Sequence, residues 1–289
     1  MRFDEKLHDM TTLIHTQTAH GKICEGTGFF YTATEQGDHQ WERITGQWVV
    51  TNRHVVMPIH NEVEERPLSI TFYLRRWDRL GRIKWVPFAI SSDDFDRRVK
   101  LHPNQAVDVA LIDILDLYKQ KVYPVIDNYT LAAPFHLSQN RLARQNAEIQ
   151  IGVGSEVLVV GYPRGFYDDL NLFPIVKSGI VASKWGTYFQ GNPFFLIDSK
   201  LFPGSSGSLV ISRPIDSIVR DRKILTLRND EKAFVLLGVY SGEYQEQTRP
   251  VEVGDLTITQ TVSLDLGIVW YADVIEEIIS NSENDHQAM

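Results

Sequence analysis

A chain of 289 residues, 43% hydrophobic and 23% charged, is long enough to bury a sizeable core and has an ordinary globular composition. Its formal net charge of −8 leaves no basic excess to neutralise phosphates, which excludes general nucleic-acid binding. The single cysteine, Cys24, cannot form an internal disulfide, so stability must come from packing, which suits a reducing compartment.

The first ten residues are charged and lack the apolar core of a secretory leader, and no apolar run reaches membrane-spanning length. The expectation is a cytoplasmic protein with no membrane contact. Phe3, Leu7, Met10 and Ile14 recur at three- and four-residue spacing and predict a short amphipathic helix at the start. From Leu13 the pattern turns to alternation, and residues 23–31 read as a strand entered through Gly26 and Gly28. Such a glycine pair marks close backbone approach or a bulge rather than a phosphate loop. Trp48-Val49-Val50-Thr51 predicts a strand that delivers Asn52-Arg53-His54. Further strands are expected at residues 69–74, 85–90 and 107–114, the middle one at an edge or bulged because it contains Pro87. The polar stretch 118–146 reads as a connector between two halves, with the division expected between residues 128 and 129.

The strand pattern then resumes at residues 157–161, 175–182, 194–197, 209–211, 234–240 and 256–264. Short strands separated by Gly, Pro, Asn and Asp, with no strand–helix alternation, indicate an all-β sandwich or barrel. Only the tail differs. Ile268, Tyr271, Ala272, Ile275, Ile278 and Ile279 share one helical face, and Asp273, Glu276 and Glu277 take the other, which predicts a C-terminal α-helix docked on the second barrel, with residues 280–289 frayed.

Three places carry chemistry. In Phe202-Pro203-Gly204-Ser205-Ser206-Gly207-Ser208, the glycine directly after Ser206 allows a tight turn that leaves a hydroxyl pointing outward. A plain Gly/Ser loop is the alternative. His54 follows a strand and precedes Val55-Val56, a place where a histidine is commonly structural. Asp108 stands among apolar neighbours in residues 106–112, where a carboxylate is expensive to bury unless paired. An imidazole N–H is a suitable partner, although alternation also allows Asp108 to face solvent. A serine acts as nucleophile when a base sits beside it and donors await the oxyanion. The order His54, Asp108, Ser206 excludes the α/β-hydrolase and subtilisin schemes and leaves the order of chymotrypsin.

With these residues in view, the chain resembles trypsin-like serine peptidases of the chymotrypsin fold, closest to the disulfide-free bacterial branch of Deg-type proteases. Residues 49–56 resemble the family's histidine motif, Asp108-Val109-Ala110-Leu111-Ile112 its aspartate motif, and Pro203-Gly204-Ser205-Ser206-Gly207-Ser208 its serine motif. Gly26-Thr27-Gly28-Phe29 is similar to the segment that opens its first barrel. The likeness covers residues 12–275 and leaves no room in the remainder for an adjoining PDZ-like module.

The resemblance implies two antiparallel six-stranded β-barrels with the site in the cleft between them. It implies a triad in which Ser206 attacks, His54 moves the proton and Asp108 orients His54. The backbone N–H groups of Gly204 and Ser206 would form the oxyanion hole, with Ser205 and Ser208 as alternative nucleophiles in principle. Zymogen-activated relatives have an aspartate where Ser205 stands, so that switch should be absent. Lys200 lies six residues before Ser206, where trypsin-type members carry the aspartate that binds basic side chains. Basic specificity is therefore not expected; Lys200 either selects acidic side chains or points to solvent. Tyr240-Ser241-Gly242 resembles the strand that pairs with substrate backbone. Gly161-Tyr162-Pro163-Arg164-Gly165 has no role assigned by sequence. The nine histidines are scattered without zinc spacing, so no metal or cofactor is expected. The expected activity is endopeptidase action on polypeptides, with two other readings open: a silent peptide-binding module on the same fold, or a protease cutting one dedicated partner in regulation or defence. The oligomeric state is not readable.

Overall fold

The computed structural model describes residues 3–34, 44–77, 83–117, 130–131, 137–138, 142–143, 148–220, 223–227, 231–247, 251–253, 256–258 and 261–287. The first half begins with helix α1 (Phe3–Asp9) and runs through strands β1 (Thr11–Gln17), β2 (Ile23–Thr34) and β3 (Ile44–Thr51). There follow the one-turn helix α2 (Arg53–Val56), β4 (Ile59–His60), β5 (Val63–Glu64), β6 (Ser69–Trp77) and β7 (Ile83–Ser91). Helix α3 (Phe95–Arg98), β8 (Val99–Leu101), β9 (Ala110–Asp113), β10 (Thr130–Leu131) and β11 (Leu137–Ser138) complete it. The second half contains β12 (Glu156–Gly161), β13 (Ile175–Val181), β14 (Phe194–Asp198), β15 (Leu209–Ser212), β16 (Ser217–Arg220) and β17 (Lys223–Thr226). It ends with β18 (Leu236–Gln247), β19 (Val251–Val253), β20 (Leu256–Ile258), β21 (Thr261–Tyr271) and the long helix α4 (Asp273–Gln287). No described helix is long and apolar enough to cross a membrane.

The fold is mostly β and double-barrelled in plan, with the halves closed to different degrees. The second closes fully, in the order β12-β13-β14-β21-β18-β15. The first is a curled half-barrel, β10-β6-β1-β2-β3-β9-β8, with β7 on β6 and β11 parallel to β2. Among the described residues β8 does not join β7, so the ring expected from the resemblance stays open there. Proline is compatible with β7 because β7 pairs with β6 alone, in unbroken register with Tyr73 opposite Pro87. That is the edge position expected of it.

Alternation explains the apolar runs. Along β2 and β3, Phe30 and Val49 face the core of their own half, whereas Phe29, Tyr31, Trp48 and Val50 face a shared core. The second barrel repeats this, with Phe195, Ile197 and Val210 inside it and Leu196, Leu209 and Ile211 in the shared core. Strands buried on both faces read as continuous apolar runs, which is how these segments look in the sequence.

Several boundaries differ from the sequence expectation. The opening helix stops at Asp9, and Ile14 lies on β1, because Thr11 and Thr12 are β-branched and pair with Phe29 and Gly28. Asp108 precedes its strand, which starts at Ala110. Residues 59–64 form the short hairpin β4–β5. Ile268 and Tyr271 belong to β21, paired with Leu196 of β14 and Gly238 of β18. The C-terminal helix begins only at Asp273 and continues to Gln287 through the tail expected to fray. It also packs elsewhere than expected. Ile275, Ile278 and Ile279 enter the shared core, Glu276 accepts from the Tyr31 hydroxyl of β2, and Glu277 meets His102 Nε2 at 3.2 Å. Burial, then the neighbouring Glu276 carboxylate, pushes the Tyr31 phenol pKa up, so it remains a donor. The connector at 118–146 lies largely outside the described residues; its described parts add β10 to β6 and β11 to β2.

A buried arginine, ion-paired within its own half, ties the halves together. Arg75 of β6 reaches Asp9 (3.2 Å), the Tyr162 hydroxyl (2.8 Å) and the Leu172 carbonyl (3.1 Å), the Arg75 and Asp9 side chains being 5% and 6% exposed. Burial raises the Tyr162 pKa, so Tyr162 meets Arg75 as a neutral acceptor. Removing one partner strands the other charge. Arg75→Met should lower unfolding free energy in urea by about 3–5 kcal/mol, and adding Asp9→Asn should restore part of it.

Candidate active site

Chain geometry brings His54 and Asp108 together. Strand β3 ends at Thr51, and α2 turns His54 back, with Val55 N–H donating to the Asn52 carbonyl (3.2 Å). Asn52 also fixes the partner segment, its Nδ2 donating to the Asp108 carbonyl at 2.6 Å. The Asp108 carboxylate then accepts from the His54 backbone N–H at Oδ1 (3.0 Å) and meets His54 Nδ1 at Oδ2 (2.7 Å). An ionised carboxylate only accepts, so Nδ1 carries the proton and Nε2 presents a lone pair. The Ser241 hydroxyl donates a third bond to Asp108, at Oδ2. Asp108 is thus paired, as burial of a carboxylate requires.

Ser241 owes its position to a β-bulge. Strand β18 pairs Tyr240 with Val269 and Gly242 with Ile268, leaving Ser241 as the extra residue. A bulge re-aims the side chain it carries. Sequence reading placed Ser241 with the substrate-binding strand; the structure puts its hydroxyl on Asp108 and its carbonyl on the Ser206 hydroxyl, which donates to it at 2.9 Å. Ser206 Oγ therefore rests on the Ser241 carbonyl and makes no hydrogen bond to His54.

Of the serines in this loop, Ser205 and Ser208 are 2% and 1% exposed, while Ser206 is half-buried. The loop is pinned on its carbonyl side. Pro203 O accepts from Arg164 N–H (2.7 Å) and Ser205 O from Ser208 N–H (2.9 Å). In a trans peptide the N–H points opposite the carbonyl, and the described chain has no cis bonds. These two contacts therefore fix the directions of the Gly204 and Ser206 N–H groups, neither of which has a protein acceptor among the described residues. Gly204 adopts φ +85°, where L side chains are strained.

Arg164 was missed by sequence reading as part of this site. It sits at φ +53° in a tight 3-10 turn over Pro163–Gly165, an uncommon conformation for a non-glycine residue. Its guanidinium lies 5.6 Å from the Phe202 ring centroid. The only signal in the sequence was the Pro-Arg-Gly turn itself.

Thr27 joins the halves at the loop. Its N–H donates to Ser206 O (2.8 Å), its hydroxyl donates to Gly204 O (3.1 Å) and accepts from Tyr162 N–H (2.9 Å), and its carbonyl accepts from Thr51 Oγ1 (2.7 Å). The Gly26-Thr27-Gly28 segment is thus the close approach its glycines indicated.

The remaining expected substrate residues have mixed settings. The Tyr240 backbone is spent inside the barrel, its N–H on Ser208 O (3.0 Å) and its carbonyl on Gly207 N–H (2.8 Å). A Cβ added to Gly242 would meet only open space. The Lys200 ammonium pairs with Asp265 at 3.3 Å and its side chain is 67% exposed.

The sequence of residues 26–214 matches the trypsin-like peptidase domain, and the chain belongs to that family, whose substrates are polypeptides. No curated protein matches it. Among solved structures it is similar to the HtrA-type protease AlgW with tripeptide, at 15% identity and TM-score 0.48 over 96% of this chain. The chain spans 60% of that protein's length. It is also similar to an inactive serine-to-alanine mutant of Rv3671c from M. tuberculosis (17% identity, TM-score 0.43, 96% and 88% of the two chains). A third likeness is to Deg5 (15% identity, TM-score 0.41, 82% and 81%).

Gly207 offers a clean test of the seam. A Cβ there would stand 1.9 Å from the Thr27 carbonyl and 2.5 Å from Thr51 Oγ1, whereas Gly186, with similar φ (+77° against +82°), has open space. Both alanine variants carry a left-handed backbone cost of about 1–2 kcal/mol. Gly207→Ala should lose roughly 1–3 kcal/mol more from overpacking, read as a lower denaturation midpoint.

Proposed function

We propose that the protein is a serine endopeptidase that hydrolyses peptide bonds through His54, Asp108 and Ser206. The observation that carries this reading is the clamp on His54, in which Asp108 bonds both its backbone N–H and Nδ1 while accepting from Ser241. That arrangement leaves the Nε2 lone pair as the base. Ser206 Oγ donates one hydrogen bond, to the Ser241 carbonyl, and a χ1 rotation would free it. Its proton passes to His54 Nε2 as Oγ bonds the substrate carbonyl carbon. The carbonyl oxygen takes the negative charge, for which the Gly204 and Ser206 N–H groups are the donors. Collapse expels the amine, which takes the proton from His54 and leaves an acyl group on Ser206. Water, deprotonated by the same His54, then hydrolyses that ester.

Asp108 stabilises the imidazolium formed at each proton transfer. In this reading residues 1–128 supply His54 and Asp108 and residues 129–289 supply Ser206. No metal or cofactor is required, and a lone Cys24 is compatible with a reducing compartment. An acidic substrate side chain would have to displace Asp265 from Lys200 to use that cation. Gly242, with open space beside it, is the better candidate wall of a side-chain pocket.

The Ser206–Ser241 contact supports the second reading, a peptide-binding module with a turned-away serine. A fluorophosphonate probe separates the two. A serine peptidase should label on Ser206, with labelling lost in Ser206→Ala and His54→Ala; folded wild-type protein that stays unlabelled with peptide present would favour the binding module. In a peptidase Ser241→Ala should lower kcat by roughly tenfold or more, with KM little changed, because the bond it removes acts on His54 through Asp108.

A further inference from the structure

We infer that His20, His60 and Glu65 form a binding site for one zinc-class divalent cation, away from the triad. His20 lies 40 residues before His60 and Glu65 five after it, and the three lack the spacing of a zinc motif. Folding brings their ligand atoms to within 4.8 Å of one another. His20 Nε2 lies 3.1 Å from Glu65 Oε1, and the two imidazole centroids are 4.7 Å apart with planes tilted by 35°. Zinc–nitrogen and zinc–oxygen bonds near 2.0–2.1 Å at tetrahedral angles place ligand atoms about 3.3 Å apart. One edge of that tetrahedron is already present, and the rest closes by small rotations of two exposed rings.

A second observation comes from the carboxylate. Glu65 Oε2 is shut off from solvent and has no hydrogen-bond partner. A buried oxygen without a donor is costly, and a cation bound between the carboxylate and the imidazoles removes that cost. Neither ring nitrogen of His60 has a hydrogen-bond partner among the described residues. Two imidazoles and one carboxylate suit zinc among the available divalent ions, with water in the fourth position.

The ligands stand on rigid supports. His20 sits in a turn closed by Gly21 N–H to Thr18 O (3.0 Å) and Thr18 N–H to Lys22 O (2.9 Å). His60 ends β4, before the two-residue turn Asn61-Glu62, with φ +49° and +65°. Glu65 N–H donates to Pro58 O at 2.8 Å. Strand β5 is anchored by Glu64, whose carboxylate takes both Nε and a terminal nitrogen of Arg53 (2.6 and 2.8 Å), one residue before His54. The cation would therefore staple the β1–β2 turn to the hairpin that braces α2.

Chelator-treated full-length protein titrated with Co2+ and then Zn2+ tests the site. One equivalent of Co2+ should give the intense visible bands of a low-coordinate site, displaced stoichiometrically by Zn2+. His20→Ala and His60→Ala, both exposed changes, should each weaken Zn2+ binding by more than the roughly 10–100-fold that loss of an outer-shell partner costs. Glu65→Gln should do the same, and His54→Ala should leave the affinity unchanged. Folding is checked by circular dichroism. Binding unaffected by the His20 and His60 changes, binding lost in His54→Ala, or no binding by folded wild-type protein would each overturn the proposal.

Discussion

Thr27 turns its N–H and its hydroxyl across the seam between the two halves, and the candidate site depends on that contact. Its N–H and hydroxyl hold the carbonyls of Ser206 and Gly204, its hydroxyl also receives the Tyr162 N–H, and its carbonyl takes Thr51 Oγ1. A net hydrogen bond contributes only about 1 kcal/mol, but a buried group left unmade costs more. The seam is therefore intolerant of displacement. Gly207 and Gly161 pack against the same residue, with room for no Cβ at either. The loop bearing Ser206 is held against β2 of the other half, while another of its carbonyls, Pro203 O, is held by Arg164 N–H.

The two sides of the candidate site are prepared to different degrees. His54 is oriented through two contacts to one carboxylate, and Asp108 is fixed by Asn52 and Ser241 as well. Ser206 is oriented by a single bond to the Ser241 carbonyl. Ser241 thus touches both the acid and the nucleophile, and it can do so because a bulge gives it a place outside the regular ladder. In the proposed reaction, the Ser206 hydroxyl leaves that carbonyl before it attacks.

Two of the candidate residues were legible because they stand against their local pattern. Asp108 lies in an apolar run, and Gly204 and Gly207 bracket a serine pair. Choosing Ser206 over Ser205 and Ser208 needed the following glycine, and burial of the other two agrees with it. What the sequence hid depends on distant chain segments. The helix boundary at Asp273 was missed because Ile268 and Tyr271 fit a helical stripe as well as a doubly buried strand. The docking of α4 on the first half turns on Tyr31 and His102, far away in sequence. The Arg164 contact is a backbone bond, invisible to side-chain pattern. The clustering of His20, His60 and Glu65 arises from a turn and a hairpin that no local pattern joins.

The central claim is that the seam makes His54 and Ser206 one reacting unit. A peptidyl chloromethyl ketone tests it, since its ketone is attacked by a serine hydroxyl while its chloromethyl carbon alkylates the neighbouring imidazole. The account predicts peptide maps showing a single modified histidine, His54, in wild-type protein, and its loss in folded Ser206→Ala. Equal alkylation of His54 with and without the Ser206 hydroxyl, or modification of another histidine in its place, would contradict the account.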